Sequence, residues 1–122
     1  MRASEPLTRA MEPRIVYVEI PATNFEDSKT FYASAFGWTL TDYGPSYSGT
    51  EGFAVNIGLQ GDETEATTAP LAVIDVGDLE SALDAVTRAG GTVTRPIFAF
   101  PGGRRFQFMD PSGNELAVMQ QA

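Results

Sequence analysis

The sequence predicts an α+β fold made of two copies of one βαβββ module, and three observations carry that prediction. Apolar residues alternate with a period of two over 15–20, 71–76 and 115–119, as in strands covered on one side. Two stretches with helical spacing follow the first two of these strands, opened by Asn24 or Asp78 and stopped by Gly37 or Gly90-Gly91. The pattern also repeats. Asn24 and Asp78 are 54 residues apart, and at that offset Tyr17 falls on Leu71, Ile20 on Ile74, Gly37 on Gly91, and Thr39-Leu40-Thr41 on Val93-Thr94-Arg95. Self-similarity at a fixed period marks a repeated supersecondary unit.

Residues 1–13 are polar and aperiodic, with Pro6 and Pro13, and are expected to form a flexible tail in which Met11 is an alternative start. One domain then covers 14–122, with modules at about 14–60 and 71–120. Ile15 to Ile20 reads as a strand that Pro21 ends. After Asn24, Glu26 and Asp27 place acids in the first helical turn, where the dipole favours them, and Phe31, Tyr32, Ala35 and Phe36 form the apolar stripe. Trp38 to Asp42 is expected to be a strand, Tyr43 to Gly52 a loop or short edge strand, and Phe53 to Leu59 a further strand. A Thr-rich acidic linker, Gly61 to Pro70, precedes the second copy. There Leu71 to Val76 is a strand, Leu79, Ala82, Leu83 and Val86 a helical stripe, and Thr92 to Thr94 the next strand. The end of the chain reads as two strands joined at Asp110-Pro111-Ser112-Gly113: Asp bonds nearby backbone N–H groups, Pro presets φ and Gly takes the positive φ that follows.

Composition excludes several kinds of chemistry. Without Cys there are no disulfides, thiolate nucleophiles or Cys-based metal sites. Without His the commonest general base near neutral pH, the Ser-His-Asp triad and the usual nitrogen ligand of transition metals are all missing. A net charge of −8 with only eight Lys and Arg argues against a nucleic-acid partner. No apolar run approaches the roughly 20 residues of a membrane span, nor is there an apolar leader, so a cytoplasmic protein without a membrane partner is expected.

The segments Glu19-Ile20-Pro21, Phe31-Tyr32 with Phe36-Gly37-Trp38, Ala89-Gly90-Gly91 and Phe108-Met109-Asp110-Pro111-Ser112-Gly113-Asn114-Glu115 together resemble the vicinal oxygen chelate superfamily, which includes glyoxalase I, extradiol dioxygenases, fosfomycin-resistance enzymes and bleomycin-binding proteins. The resemblance spans about residues 14–120. It implies paired modules whose curved mixed sheets form a cup, usually completed in a homodimer. It also implies metal-ligand positions at Tyr17, Asn56, Leu71 and Ala117. Leu and Ala offer a cation no side-chain donor, so the resemblance is carried to the fold and not to a metal or other cofactor.

With Val16, Val18, Ile20, Ala72, Ile74, Val76, Leu116 and Val118 placed under the helices, the opposite faces carry Tyr17 and Glu19, then Leu71 and Val73, then Glu115 and Ala117. An apolar cavity with a few converging polar groups is the usual form of a small-molecule site. Glu19 is the leading candidate, because a carboxylate between apolar neighbours is costly unless it is used; an ion pair with Arg105 or Arg14 is the structural alternative. Tyr17 reads as a hydrogen-bond donor or as packing, Asn56 and Gln107 as polar lining or water-exposed edges, and Glu115 as a ligand contact or a solvated strand end. Pro101-Gly102-Gly103 with Arg104-Arg105 reads as a rim loop that could close on an anion, or as a hairpin turn with two solvated charges. Three functions remain open: a metal-independent binder of a small, partly apolar molecule, for resistance or sequestration; a lyase or isomerase with Glu19 as general base assisted by Tyr17; and a dimeric interaction module.

Overall fold

A computed structural model describes residues 12–122; the greater part of the expected N-terminal tail, residues 1–11, lies outside them. In chain order the elements are β1 (Arg14–Pro21), α1 (Phe25–Phe36), β2 (Thr41–Asp42), β3 (Tyr47–Gly49), β4 (Asn56–Gln60), β5 (Leu71–Asp75), α2 (Leu79–Arg88), β6 (Thr92–Phe100), β7 (Gly103–Met109) and β8 (Glu115–Gln121). Contacts divide the chain into two units, Val16–Ala72 and Val73–Ala122, the second grouped with the described residues before Val16.

Each half is a four-stranded mixed sheet with the same strand order. In the first, β2, β3, β4 and β1 lie side by side, with β1 parallel to β4 and the other pairs antiparallel. In the second, β6, β7, β8 and β5 repeat the arrangement, with β5 parallel to β8. The periodicity in the sequence is therefore a repeat of topology: α+β, βαβββ twice.

The two helices fulfil their sequence patterns differently. Asp78 caps α2, accepting from the Ser81 amide at 3.1 Å and the Ser81 hydroxyl at 2.9 Å. The apolar side of α2 packs into a core in which Leu79, Phe106 and Val118 are buried and Ile74, Val76, Ala82, Leu83, Val86, Ile97 and Phe108 surround them. Burying each large apolar side chain is worth about 1.5–3 kcal/mol. Asn24 begins α1, but its side chain makes no cap; only its carbonyl accepts, from the Ser28 amide at 2.9 Å. At the other end Gly37, at φ 70°, closes the helix by donating to the Ala33 carbonyl. No residue of α1 is buried. Its expected core stripe is instead a surface cluster, in which Tyr32 stacks on Trp38 at 5.4 Å and 8°, and Phe36 also meets Trp38 at 5.4 Å.

Three strands differ from expectation. The stretch after Trp38 is extended only at Thr41–Asp42, and β4 starts at Asn56 rather than Phe53. There the Asn56 side chain accepts from the Phe53 amide and donates to the Phe53 carbonyl, offering the backbone a local alternative to the ladder. β6 runs well past Thr94 to Phe100, through two register shifts. Pro96 fits in this strand because bulged positions do not require every amide to donate.

The Asp110 turn forms as the sequence predicts. Gly113, at φ 87°, donates to the Asp110 carbonyl, and the Asp110 carboxylate accepts from the Ser112 and Asn114 amides and the Asn114 side chain. The Asn114 side chain first, and these amides with it, hold the Asp110 carboxyl below its ordinary range. Among the described residues no helix is long and apolar enough to cross a membrane.

Candidate functional site

Alternation along β1 puts Tyr17 and Glu19 on one face of the first sheet. Glu19 lies opposite Gly58 of β4, and Gly58 lies opposite Gly49 of β3. Two paired glycines leave a flat area of backbone there, and the tyrosine hydroxyls rest on it. A Cβ on Gly58 would come within 2.0 Å of the Tyr17 hydroxyl and 2.2 Å of the Tyr47 hydroxyl. Tyr47 reaches the spot from β3 and donates to Glu19 Oε1 at 3.1 Å, while its oxygen lies 2.8 Å from the Tyr17 hydroxyl. A phenol has one proton, so with Tyr47 donating to the carboxylate, Tyr17 donates to Tyr47. The result is a directed chain, Tyr17 to Tyr47 to Glu19, ending on a carboxylate that is only 4% exposed.

Burial, then the neighbouring Glu19 carboxylate, then Tyr17 push the Tyr47 phenol far above its ordinary pKa. Tyr47 therefore stays a hydrogen-bond donor to higher pH than an ordinary phenol does. The sequence placed Tyr47 only within the stretch Tyr43 to Gly52, expected to be a loop or short edge strand. The signal that could have placed it is Gly58, because a glycine inside an apolar strand marks a close approach.

A second polar cluster stands on the other half. Arg105 and Gln107 share a face of β7, and Arg105 Nη2 donates to Gln107 Oε1 at 3.2 Å. Gln107, buried at 5% exposure, donates from Nε2 to Glu115 Oε2 at 3.0 Å, which also accepts from Thr94 Oγ1 at 2.7 Å. Glu115 is thus a fixed member of a network rather than a freely solvated strand end. The Arg104-Arg105 doublet does not act as a unit: Arg104 turns to Glu80 of α2 and makes a two-point contact at 2.6 and 3.1 Å.

The remaining sequence candidates lie elsewhere. Asn56 serves its own loop, its Oδ1 accepting from the Thr50 hydroxyl at 2.9 Å as well as from Phe53. Leu71, Val73 and Ala117 are fully buried hydrocarbon, at 0%, 2% and 0% exposure. The four metal-ligand positions implied by the resemblance therefore do not suit a divalent cation: one phenol is committed to another phenol, one amide to its loop, and two side chains have no donor. Among the described residues no three His, Cys, Asp or Glu side chains converge.

The family model described as the Glyoxalase/Bleomycin resistance protein/Dioxygenase superfamily matches residues 14–118. A solved superfamily member from Vibrio splendidus 12B01 is similar at 18% identity and TM-score 0.67, over 91% of this chain and all of that one. Methylmalonyl-CoA epimerase from Mycobacterium tuberculosis is similar at 15% identity and TM-score 0.68, covering 88% of this chain and 87% of that chain. The Mn(II)-bound glyoxalase from Novosphingobium aromaticivorans is similar at 19% identity and TM-score 0.62, with 90% of this chain spanning 38% of that one. These likenesses are of fold. Comparison with curated proteins found no match.

Proposed function

We propose that this chain, which belongs to the glyoxalase/bleomycin resistance protein/dioxygenase superfamily, is a metal-independent member that binds a small, partly apolar molecule on the face carrying Glu19, Tyr17 and Tyr47, for resistance or sequestration. The observation that carries the reading is the buried Glu19 carboxylate at the end of the Tyr17–Tyr47 chain. A carboxylate taken from water into a protein is costly, so a fold keeps one where oriented partners and a use for it exist. Such a group suits a ligand that offers a hydrogen-bond donor beside an apolar body.

The hydrogen-bond chain favours a second reading, a lyase or isomerase in which Glu19 takes a proton from the substrate while Tyr47 and Tyr17 steady the carboxylate. The exposed aromatics of the first half, Phe31 at 57%, Phe36 at 62% and Phe53 at 45%, support pairing of two chains into a homodimer.

Two measurements test the main reading. Elemental analysis after dialysis should find no stoichiometric transition metal; about one per chain would overturn metal independence. A thermal-shift screen of small amphiphiles, with and without added Mn(II), should give hits that do not need the metal. Their affinity should fall about tenfold or more in Glu19→Gln, because a charge-assisted hydrogen bond is worth about 1.5–3 kcal/mol. Stability lost with ligand binding unchanged would make Glu19 a structural ion-pair residue instead.

A further inference from the structure

We propose that Gln60 is a ligand-contacting residue of the face that carries Glu19 and Tyr47, and that it selects molecules bearing an uncharged carbonyl oxygen; this rests on the reading that a small molecule binds on that face. Gln60 ends β4 and lies opposite Tyr47 of β3 and Pro21 of β1. It stands two residues beyond Gly58, which lies opposite Glu19, so strand alternation returns Gln60 to the Glu19 face.

Gln60 is half-buried, and its side-chain amide has a settled orientation. Its Oε1 accepts from the Asp62 amide at 2.9 Å, and because a backbone N–H can only donate, the oxygen end is fixed on the loop and the NH2 end is turned away from it. That end carries two N–H donors, and among the described residues nothing accepts from them. Tyr47, the direct partner of Gln60, does not lie against it. The phenol crosses diagonally to Gly58, where a Cβ would stand 2.7 Å from Tyr47 Cζ, and it gives its one proton to Glu19. On the other side Pro21 offers a ring and no N–H. In register, therefore, an oriented pair of donors sits between a tyrosine and a proline, beside the polar cluster and outside its hydrogen bonds. Donors that are already held at one end lose less freedom when a ligand arrives.

An uncharged acceptor fits this group better than an anion. A ligand carboxylate would approach the Glu19 carboxylate in a chain of net charge −8, and both oppose it. The carbonyl oxygen of an amide or ketone meets the same two donors without that repulsion, and its apolar body suits the rings on either side.

The test uses the full chain with benzamide as the probe and with benzylamine and sodium benzoate as comparators, three molecules that share a phenyl body and differ in the polar group. Binding is read by calorimetry and from the Gln60 side-chain N–H signals in NMR. Benzamide is expected to bind with a Kd at or below about 10 mM, more tightly than benzoate, and to move those signals. Gln60→Glu keeps an acceptor for the Asp62 amide and removes both donors, so it should weaken benzamide about three- to tenfold while the melting temperature is held. Gln60→Met should weaken benzamide to a similar extent and leave benzylamine, which has no acceptor, unchanged. Full benzamide affinity in both variants while they remain folded would make Gln60 an anchor of its loop only and overturn the proposal, as would benzoate binding as tightly as benzamide. Benzylamine that binds and is weakened by Glu19→Gln, beside benzamide indifferent to both Gln60 variants, would keep the Glu19 reading and remove this one. No binding of any of the three probes would remove both.

Discussion

The two halves of this chain share one strand order and differ in what they do with their helices and their first strands. In the second half α2 is capped by Asp78 and anchored by Leu79 in a core with Phe106 and Val118. In the first half α1 has no side-chain cap and no buried residue, and its Tyr32 and Phe36 rings lie against Trp38. The first strands diverge in the opposite sense. Tyr17 and Glu19 of β1 correspond, at the repeat offset, to Leu71 and Val73 of β5, which are buried hydrocarbon. The first strand of one copy thus contributes only hydrocarbon to a core, and that of the other a buried carboxylate and a phenol, beside a helix whose rings lie at the surface. Duplication makes such a division feasible, because one module can keep its packing while the other carries a costly carboxylate.

The largest effect expected from this contrast is on folding. Leu79→Ala should cost about 2–5 kcal/mol by leaving a cavity in the second core, whereas Phe31→Ala and Phe36→Ala, at exposed positions, should each cost less than about 1 kcal/mol. Denaturant titration of the three variants measures the difference. Equal losses at all three would show the α1 rings to be packed as tightly as the α2 anchor. If the homodimer forms through those rings, Phe36→Ala should instead shift the oligomer mass seen by light scattering.

Next in size is the glycine seat of the tyrosine pair. Gly58→Ala places a methyl group where two hydroxyl oxygens already stand, and overpacking of this kind costs about 1–3 kcal/mol. Removing those oxygens with Tyr17→Phe and Tyr47→Phe should recover part of the loss, so the combined variant is more stable than the sum of its parts. Simple additivity would mean that the methyl meets something other than the hydroxyls.

A smaller effect separates the helix starts. Asp78→Ala should cost about 1 kcal/mol, the usual worth of a side-chain cap, and Asn24→Ala almost nothing, since only its backbone carbonyl is used. Matched losses at the two sites would restore the symmetry that the structure denies.

These contrasts also show what the sequence could reveal. Period-two and period-3.6 patterns, glycine stops and the 54-residue offset identify the modules because they follow from backbone geometry that every residue in an element shares. The same helical stripe, however, is a core in α2 and a surface in α1, since periodicity says which side is apolar and not what covers it. Glu19 and Tyr17 were legible as strand neighbours, and Tyr47 was not, because its role depends on the pairing of β3 with β4 over Gly58. The faces of β6 were hidden for a related reason: its two register shifts change which face a residue occupies without an unambiguous mark in composition. Arg105, Gln107 and Glu115 were found as separate candidates, and only strand register makes them a network.

The last contrast is one of pH, and it is specific to one module because all four tyrosines, Tyr17, Tyr32, Tyr43 and Tyr47, lie in the first half. The Tyr47 phenol is pushed upward, by burial first and by Glu19 second. A group with a raised pKa in the folded state contributes stability that is fully present below its unfolded pKa, near 10, and is lost as pH rises above it toward the folded value. Folded protein followed by phenolate absorbance should therefore retain at least one tyrosine that ionises only as the chain unfolds. Tyr47→Phe should remove that late phenol and flatten the decline of stability above about pH 10, at a cost at neutral pH of about 1–3 kcal/mol, because it takes away the hydrogen bond that the buried Glu19 carboxylate accepts and the partner of the Tyr17 hydroxyl. Glu19→Gln should move the late ionisation earlier, because the carboxylate no longer opposes the phenolate, yet not back to the ordinary range, because burial, the larger cause, persists. All four tyrosines ionising together in the folded protein would break the Tyr17–Tyr47–Glu19 chain and, with it, the assignment of a partnered buried carboxylate to the first module.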